Sequence, residues 1–277
     1  MRRFTLQVKN ESRPTPTRNM PPRIFKKRFL LAAAAAVMVP YFYQAHAEVP
    51  VLMYHHVEPD IAGSSVHVSP LTFMRQMEFL KVHGYRVVPL ERLVQKIKAK
   101  EPVPSKTVAI TFDDGTLGIF KYAFPVLKKM DFPATIFMIT RDIGQKGFLS
   151  EEDLRILDES GLAIGSHTVN HAFLPDLRDK NELLYEMDES KKVLEQILGH
   201  PVTLFSYPAG GVTAEAEALL EALGYEGAVT TNYAARRGDP YAIRRVKITE
   251  GKRSLFNFWL KVSGLYQVGK KRIEIKV

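Results

Sequence analysis

The sequence predicts a single α/β domain in which parallel strands are covered by helices, and three observations support this fold class. The chain has 277 residues, 45% of them hydrophobic, which is enough for one large core. From residue 48 onward, short β-rich runs alternate with segments of helical periodicity. No linker divides this part of the chain. Such alternation favours either a closed barrel or a doubly wound sheet.

Eight short segments have the composition of strands, because they are apolar and rich in β-branched and aromatic residues. In chain order they are residues 51–54, 86–88, 108–112, 134–139, 162–164, 204–207, 228–230 and 243–248. Helical patterns lie between them.

Capping residues mark the starts of the predicted helices, and glycines mark their ends. Ser69 followed by Pro70 predicts a helix that ends before Gly84. The face of this helix predicted to be apolar comprises Phe73, Met74, Met77 and Leu80.

Ser150 and Asp153 have the spacing of a capping box, with Asp in place of the usual Glu, at the start of a helix that ends before Gly161. Two further helices are predicted over residues 180–198 and 214–223, each followed by a glycine.

Composition excludes several classes of site. Residues 1–28 carry +8 of the formal net charge of +9, so the remainder is nearly neutral and the basic pI does not indicate a nucleic-acid-binding surface. Cysteine is absent, which excludes disulfides, thiolate metal sites and a lipid-modified cysteine.

The N-terminal segment predicts export to the periplasm, the cell surface or the extracellular space. After the basic residues, an apolar run begins at Phe29 and ends near Pro40, and the triplet Ala-His-Ala at residues 45–47 is typical of a signal-peptide cleavage site. An uncleaved anchor that associates with the membrane is the alternative, although the run is shorter than the ~20 residues of a spanning helix. The expected division is a signal or anchor at residues 1–47, a domain at 48–263 and a basic tail at 264–277.

Two adjacent carboxylates follow the predicted strand at residues 108–112. Asp113 and Asp114 would repel each other at the end of a strand unless a cation or a shared proton lies between them. Gly115 allows a sharp turn that aims both side chains into one pocket. A surface Asp-Gly turn is the alternative.

Two histidines follow the predicted strand at residues 162–164. His167 and His171 are four residues apart, a spacing that places both on one side of a helical turn and allows them to chelate one metal ion. A pair of surface histidines is the alternative. Because sites in α/β folds collect at the carboxyl ends of strands, we expect this pair and the carboxylates to meet.

One aspartate and two histidines form an open three-ligand site suited to Zn²⁺ or a similar divalent ion, with Co²⁺ and Ni²⁺ as alternatives. A water on such an ion has its pKa lowered toward ~7, and the second carboxylate is then placed to accept its proton.

The segments TFDDG at residues 111–115 and SHTVNH at residues 166–171 resemble the first two signature motifs of the polysaccharide deacetylase family, carbohydrate esterase family 4. The resemblance spans roughly residues 50–250. It implies a distorted (β/α) barrel of about seven strands and metal-dependent removal of acetyl groups from a glycan. It also implies that Asp113 is the general base and that the metal ligands are Asp114, His167 and His171.

The segment FSYPAGG at residues 205–211 is similar to the third motif of the family. The resemblance implies that the backbone N–H of Tyr207 helps to hold the oxyanion and that Pro208 shapes the substrate groove. The arginine that normally precedes this motif and orients the base is absent. Arg245 is the expected substitute, with Arg244 as the alternative, because strand alternation lets only one of them face inward.

The last histidine of the chain is His200, so the C-terminal Leu-x-His motif of most family members is absent. Residues 52–55, LMYH, resemble the arrangement in poly-β-1,6-N-acetylglucosamine deacetylases, where this motif lies at the start of the domain. The resemblance implies that His55 is the general acid that protonates the departing amine, with a structural core histidine as the alternative. His56 is expected to pack or to form hydrogen bonds.

The expected partner is therefore an N-acetylated polysaccharide, with poly-β-1,6-N-acetylglucosamine favoured over peptidoglycan or chitin-type oligomers, and the protein is expected to act as a monomer. A glycan-binding module without turnover is a second interpretation. A non-haem Fe(II) oxygenase also uses two histidines and a carboxylate, but the helix-rich alternation disfavours it. The aromatic residues considered for stacking on sugars are Tyr233, Tyr241 and Trp259.

Overall fold

The computed structural model describes residues 49–59, 66–231, 238–250, 255–264 and 266. The predicted signal at residues 1–47, Tyr233 and nearly all of the predicted tail lie outside the described residues. Within the described part, no helix is both long enough and apolar enough to cross a bilayer.

Seven parallel strands close into a barrel, which confirms the predicted (β/α) barrel. The described strands are β1 (Val51–Tyr54), β2 (His56–Val57), β3 (His67–Val68), β4 (Arg86–Val87), β5 (Thr107–Phe112), β6 (Thr135–Met138), β7 (Ala163–Ser166), β8 (Leu204–Ser206), β9 (Gly227–Thr230) and β10 (Ile243–Lys247). The barrel consists of β1 and β5 to β10 in chain order, and β1 closes it by pairing with both β5 and β10.

Every predicted strand is present, with its ends shifted by at most two residues. β4 pairs with β5 outside the barrel. The sequence did not predict β2 and β3, which form a separate parallel pair of two residues each. Such short pairings carry too little pattern to be recognised.

Helices follow most of the barrel strands along the chain and pack against the sheet. They are α1 (Pro70–Val82), α2 (Leu90–Lys98), α3 (Phe124–Met130), α4 (Glu151–Glu159), α5 (Lys180–Leu184), α6 (Ser190–Leu198), α7 (Ala214–Ala222) and α8 (Leu255–Val262). A π-helical turn, Tyr185–Glu189, joins α5 to α6, so the single helix predicted over residues 180–198 is interrupted. The sequence analysis did not predict α2, α3 or α8.

Side-chain caps explain why the other helices were predictable. The Ser69 hydroxyl accepts a hydrogen bond from the Thr72 amide at the start of α1. At the start of α4, Ser150 Oγ accepts from the Asp153 amide at 3.1 Å and the Ser150 amide donates to Asp153 Oδ2 at 2.9 Å, as a capping box requires. By contrast, the N-cap of α2 is Pro89, which makes no side-chain cap.

The apolar face predicted for α1 is wrong at one position. Phe73, Met77 and Leu80 are buried, but Met74 is 36% exposed. Gln76 is buried in its place, because its Oε1 accepts a hydrogen bond of 2.8 Å from the hydroxyl of Tyr54 on β1. A satisfied polar contact to the barrel therefore replaces the apolar contact that periodicity predicts.

An apolar layer lies below the carboxyl ends of the barrel strands. α2 packs its buried Leu90, Leu93 and Val94 against the strand residues of this layer, which are Val51, Ala109, Phe137, Leu204, Val229 and Ile243. Residues two positions further along the same strands share the same face. Thr111, Ser206 and Arg245 therefore lie in the next layer, to which they contribute polar groups.

Candidate active site

A buried ion pair occupies this polar layer. Asp113 follows β5 and Arg245 lies on β10, and the two residues are 2% and 1% exposed. The guanidinium group donates to both carboxylate oxygens, from Nη1 to Oδ1 and from Nη2 to Oδ2, each at 2.6 Å. The structure thus places Arg245 on the expected base, whereas Arg244 is only half-buried.

Neighbouring groups satisfy most of the remaining donors of the guanidinium group. Nη1 also donates to Thr111 Oγ1 at 3.2 Å and Nη2 to Ser206 Oγ at 2.9 Å. The Phe137 ring lies 5.6 Å from Arg245 Cζ, within the range of a cation–π contact. These contacts offset the cost of desolvating the two charges. These roles of Thr111 and Ser206 were not predicted from the sequence, although both residues lie inside the motifs TFDDG and FSYPAGG.

The ion pair keeps Asp113 ionised. Burial by itself would raise the pKa of Asp113, but the charges of Arg245 and His167, together with the hydrogen bonds from Arg245, hold that pKa well below its usual value. Asp113 is therefore a carboxylate throughout the neutral range. Its Oδ2 lies 4.0 Å from His167 Nε2, so it also faces the histidine pair.

Asp114, His167 and His171 converge into a candidate metal site. One possible ligand atom from each lies within 4.8 Å of the others. Asp114 Oδ1 is 3.7 Å from His167 Nε2 and 3.8 Å from His171 Nε2. Asp114 reaches the histidines because its backbone is left-handed, with φ of 69°, and Gly115 follows with φ of 72°.

The chemistry of these three donors fits a divalent cation. His167 Nδ1 donates to the backbone carbonyl of Ser206 at 2.8 Å, which leaves the lone pair of Nε2 facing Asp114. Burial lowers the pKa of His167 to about 4, so this imidazole is neutral at physiological pH. Burial and the negative charge of Asp113 raise the pKa of Asp114, and a nearby cation would counter that effect.

The prediction that the two histidines share a helical turn is wrong. The segment after β7 is irregular, and Thr168 and His171 have left-handed backbone angles, with φ of 65° and 58°. This loop nevertheless turns both imidazole rings toward Asp114. The rings meet edge to face, with centroids 4.8 Å apart.

His55 lies beside the carboxylates, at the end of β1. The Asp113 amide donates to the carbonyl of Tyr54 at 2.9 Å, which sets His55 level with Asp113 and Asp114. Burial lowers the pKa of His55, opposed by the charges of both aspartates. Its Nδ1 is buried without a hydrogen-bond partner among the described residues. His56 lies in β2 and pairs with His67 of β3.

The expectation that the Tyr207 amide binds an oxyanion needs correction. This amide donates to the carbonyl of Val229 at 3.1 Å, so it is committed to the contact between β8 and β9. The Tyr207 side chain is 1% exposed. Pro208, also buried, begins the turn Pro208–Gly210, in which Ala209 has a left-handed φ of 50°.

The aromatic residues considered for sugar stacking differ in their environments. The hydroxyl of Tyr241 donates to the Tyr225 carbonyl at 3.3 Å, and Lys98 Nζ lies 5.4 Å from the Tyr241 ring. Trp259 is 38% exposed on α8 and packs against the ring of Phe256. No contact described here links either residue to the Asp113 site.

Known proteins are similar to this chain in sequence and in fold. A sequence model of the polysaccharide deacetylase family matches residues 100–228. The predicted polysaccharide deacetylase YxkH of Bacillus subtilis (strain 168) is 36% identical over 208 residues, 74% of this chain and 73% of YxkH. A poly-beta-1,6-N-acetyl-D-glucosamine N-deacetylase of Staphylococcus aureus (strain MSSA476) is 27% identical over 206 residues, 66% of this chain and 68% of that protein. The structure of the Streptococcus pyogenes deacetylase PplD in complex with acetate superposes with a TM-score of 0.71 at 27% identity, covering 77% of this chain and 97% of PplD.

The pKa of His167 predicts how the stability of the metal-free protein depends on pH. The pKa is about 4 in the folded state and 6.5 for a free imidazole, so the unfolded chain binds more protons between these values. The free energy of unfolding should therefore fall as the pH is lowered from 6.5 to 4, by on the order of 3 kcal/mol from this residue. Urea unfolding in the presence of a chelator measures it.

The substitution His167→Asn is the control for this pH dependence, because an amide can keep a donor near the Ser206 carbonyl but does not titrate. The variant should lose less stability than the wild type over the same pH range. Equal slopes for the two proteins would contradict the assignment to His167.

Proposed function

The chain belongs to the polysaccharide deacetylase family, whose members are hydrolases that act on N-acetyl amide bonds, and we propose that it removes N-acetyl groups from N-acetylglucosamine residues of an extracellular or cell-wall polysaccharide. One observation carries the proposal: an ionised carboxylate, held by a buried arginine, faces an Asp-His-His cluster at the carboxyl ends of the barrel strands. Sites in (β/α) barrels are built at this end.

Members of the family use a divalent metal, and Asp114, His167 and His171 are the residues that would hold it here. Two imidazoles and one carboxylate suit Zn²⁺, with Co²⁺ and Ni²⁺ as alternatives. When bound, such an ion supplies a Lewis acid that polarises a carbonyl group and acidifies a water molecule.

Asp113 is the proposed proton acceptor. Each of its oxygens accepts one hydrogen bond from Arg245, and Oδ1 also accepts one from Ser206 Oγ at 3.4 Å. Oδ2, the oxygen nearer to His167, keeps a further lone pair. Arg245 orients the carboxylate but also lowers its basicity, because it holds the pKa of Asp113 far below neutrality. Asp113 therefore acts only on a water that has already been made more acidic.

His55 is the proposed proton donor to the sugar nitrogen as acetate leaves. Burial lowers the pKa of His55, and the negative charges of the two aspartates oppose this effect and so favour the protonated imidazole that a proton donor requires.

The amide of Ala209 takes over the oxyanion-binding role expected of Tyr207. In the turn Pro208–Gly210, the amides of Gly210 and Gly211 donate to carbonyls within the turn, and proline has no N–H. Ala209 is at the start of this turn, where a helical amide has no partner behind it. One such donor typically contributes ~3 kcal/mol in the transition state.

The favoured substrate is poly-β-1,6-N-acetylglucosamine. The names of the Staphylococcus aureus relatives specify this polymer, and the position of His55 at the start of the domain matches the arrangement expected for such enzymes. Peptidoglycan or chitin-type oligomers are the alternative substrates. Action on such a polymer fits export to the periplasm or cell surface, with zinc as the expected ion and a monomer as the expected state.

Replacing Asp113 by Asn should lower acetate release by about 10²–10⁴-fold and leave the bound metal content unchanged, because the variant loses a proton acceptor but no ligand. Acetate release and elemental analysis of the same preparation measure both quantities. Asp158→Asn, which alters a carboxylate paired with His200 outside the site, is the matched control. If Asp113→Asn loses its metal together with its activity, Asp113 is a ligand and the assignment is wrong.

Replacing His55 by Asn should affect substrates according to their leaving group. Deacetylation of an N-acetylated sugar should slow by about 10²–10⁴-fold, since an amine must be protonated to leave. Hydrolysis of 4-nitrophenyl acetate, whose leaving group needs no proton, should change far less. His56→Asn is the control and should behave as the wild type. Equal losses on both substrates would exclude His55 as the general acid.

Product analysis on defined β-1,6 and β-1,4 oligomers of N-acetylglucosamine tests the substrate. We expect at least about tenfold faster acetate release from the β-1,6 oligomers, abolished by a chelator and restored by Zn²⁺, Co²⁺ or Ni²⁺, since the proposed reaction needs an ion at the Asp-His-His cluster. Preference for β-1,4 oligomers would support a peptidoglycan or chitin deacetylase instead. Oligomer binding without acetate release would support a glycan-binding module.

A further inference from the structure

A buried carboxylate that the proposed mechanism does not use contacts the loop carrying His167 and His171. Glu186 lies in the π-helical turn Tyr185–Glu189 and is 5% exposed. Its Oε2 accepts from the backbone N–H of Asn170 at 2.8 Å, and its Oε1 accepts from Asn170 Nδ2 at 2.7 Å. Both carboxylate oxygens thus bind the residue directly before His171.

These two hydrogen bonds are the compensation found for burying Glu186. Among the residues that the structure describes, no salt bridge to Glu186 is found. Burying an isolated carboxylate costs free energy, so an apolar residue would be at least as stable at this position. The two hydrogen bonds to Asn170 are therefore what distinguishes Glu186 from an apolar residue. π-Helical turns inside α-helices also occur frequently at functional sites.

The two histidines differ in how their rings are fixed. The Nδ1 of His167 is anchored on the Ser206 carbonyl, and this ring is buried. The His171 side chain is 40% exposed, and no hydrogen bond to its ring is found in the described part of the chain. The position of His171 Nε2 therefore depends on the loop backbone.

That backbone is unfavourable without support. Thr168 and His171 are non-glycine residues with left-handed angles, a conformation that costs free energy and persists only where neighbouring contacts hold it. The helix α6, which directly follows the π-helical turn of Glu186, provides a second contact to this loop. Its Ser190 Oγ lies 2.6 Å from Ser166 Oγ, and Ser166 Oγ accepts a hydrogen bond from the Thr168 amide at 3.3 Å.

We propose that Glu186 is a positioning residue for the candidate metal site: through Asn170 it fixes the loop so that His171 stays beside Asp114. This inference rests on the proposed function, because it requires that Asp114, His167 and His171 bind a cation. Glu186 contacts Asn170 and not the ligands themselves, so its effect is on metal affinity.

Metal titration of single variants tests the inference. Glu186→Leu removes both acceptors of Asn170, and Asn170→Ala removes only the side-chain donor from an exposed position. Both should weaken Zn²⁺ and Co²⁺ binding by about 10–100-fold, measured by competition with a chromophoric chelator. Glu182→Leu, at an exposed glutamate on α5, is the matched control and should bind as the wild type.

The exchanged pair Glu186→Gln with Asn170→Asp separates positioning from packing. The glutamine carbonyl can accept from the backbone N–H of residue 170 while its NH₂ donates to the new aspartate, so both hydrogen bonds and the net charge are kept. Metal affinity should return to within about threefold of the wild type, and the visible absorption of bound Co²⁺, altered in the single variants, should return with it.

The outcomes distinguish this inference from the proposed function. If the wild type binds no metal, the proposed metal site fails. If the wild type binds metal and the single variants bind it equally well, or lose only thermal stability, Glu186 is a structural residue and the inference is overturned. Weakened binding that the exchanged pair does not restore also overturns it.

Discussion

The bidentate ion pair between Asp113 and Arg245 is the interaction on which the rest of the site depends. It places two opposite charges inside the barrel, where each would be costly alone, and neutralises them with two hydrogen bonds of 2.6 Å. Removing one partner of such a pair typically costs ~3–5 kcal/mol. The pair also links β5 and β10, the two strands that flank β1 where the barrel closes.

Backbone geometry gives the two adjacent carboxylates different environments. Asp113 continues the inward direction of β5 and meets Arg245, so its charge is neutralised. Asp114, with a left-handed φ of 69°, turns instead toward the two histidines. Because burial keeps His167 neutral, this histidine does not balance the charge of Asp114. A negative charge therefore lies where a cation would bind, and the neutralised carboxylate lies next to it.

The parts of this arrangement that could be predicted from the sequence are those fixed by local pattern. Apolar runs predicted the barrel strands, and strand alternation predicted that only one of Arg244 and Arg245 faces inward. Position at strand ends predicted that distant residues would meet. The errors concern hydrogen bonds that pattern does not reveal: the Tyr207 amide pairs with the neighbouring strand, and the loop before His171 leaves helical geometry because of its contacts to another helix. The helix α2 was missed for a different reason, because its N-cap residue Pro89 makes no side-chain hydrogen bond that would mark the start of the helix.

The two halves of the site come from different parts of the barrel. Asp113, Asp114 and the two histidines follow β5 and β7, within the segment 100–228 that the family model matches. His55 follows β1 and Arg245 lies on β10, and these two strands pair to close the barrel. Both residues are outside that segment. The candidate metal cluster therefore needs only part of the barrel, whereas Arg245, which binds the proposed base, and His55, the proposed acid, are brought to the site by its closure. Closure is thus a condition for the proposed chemistry.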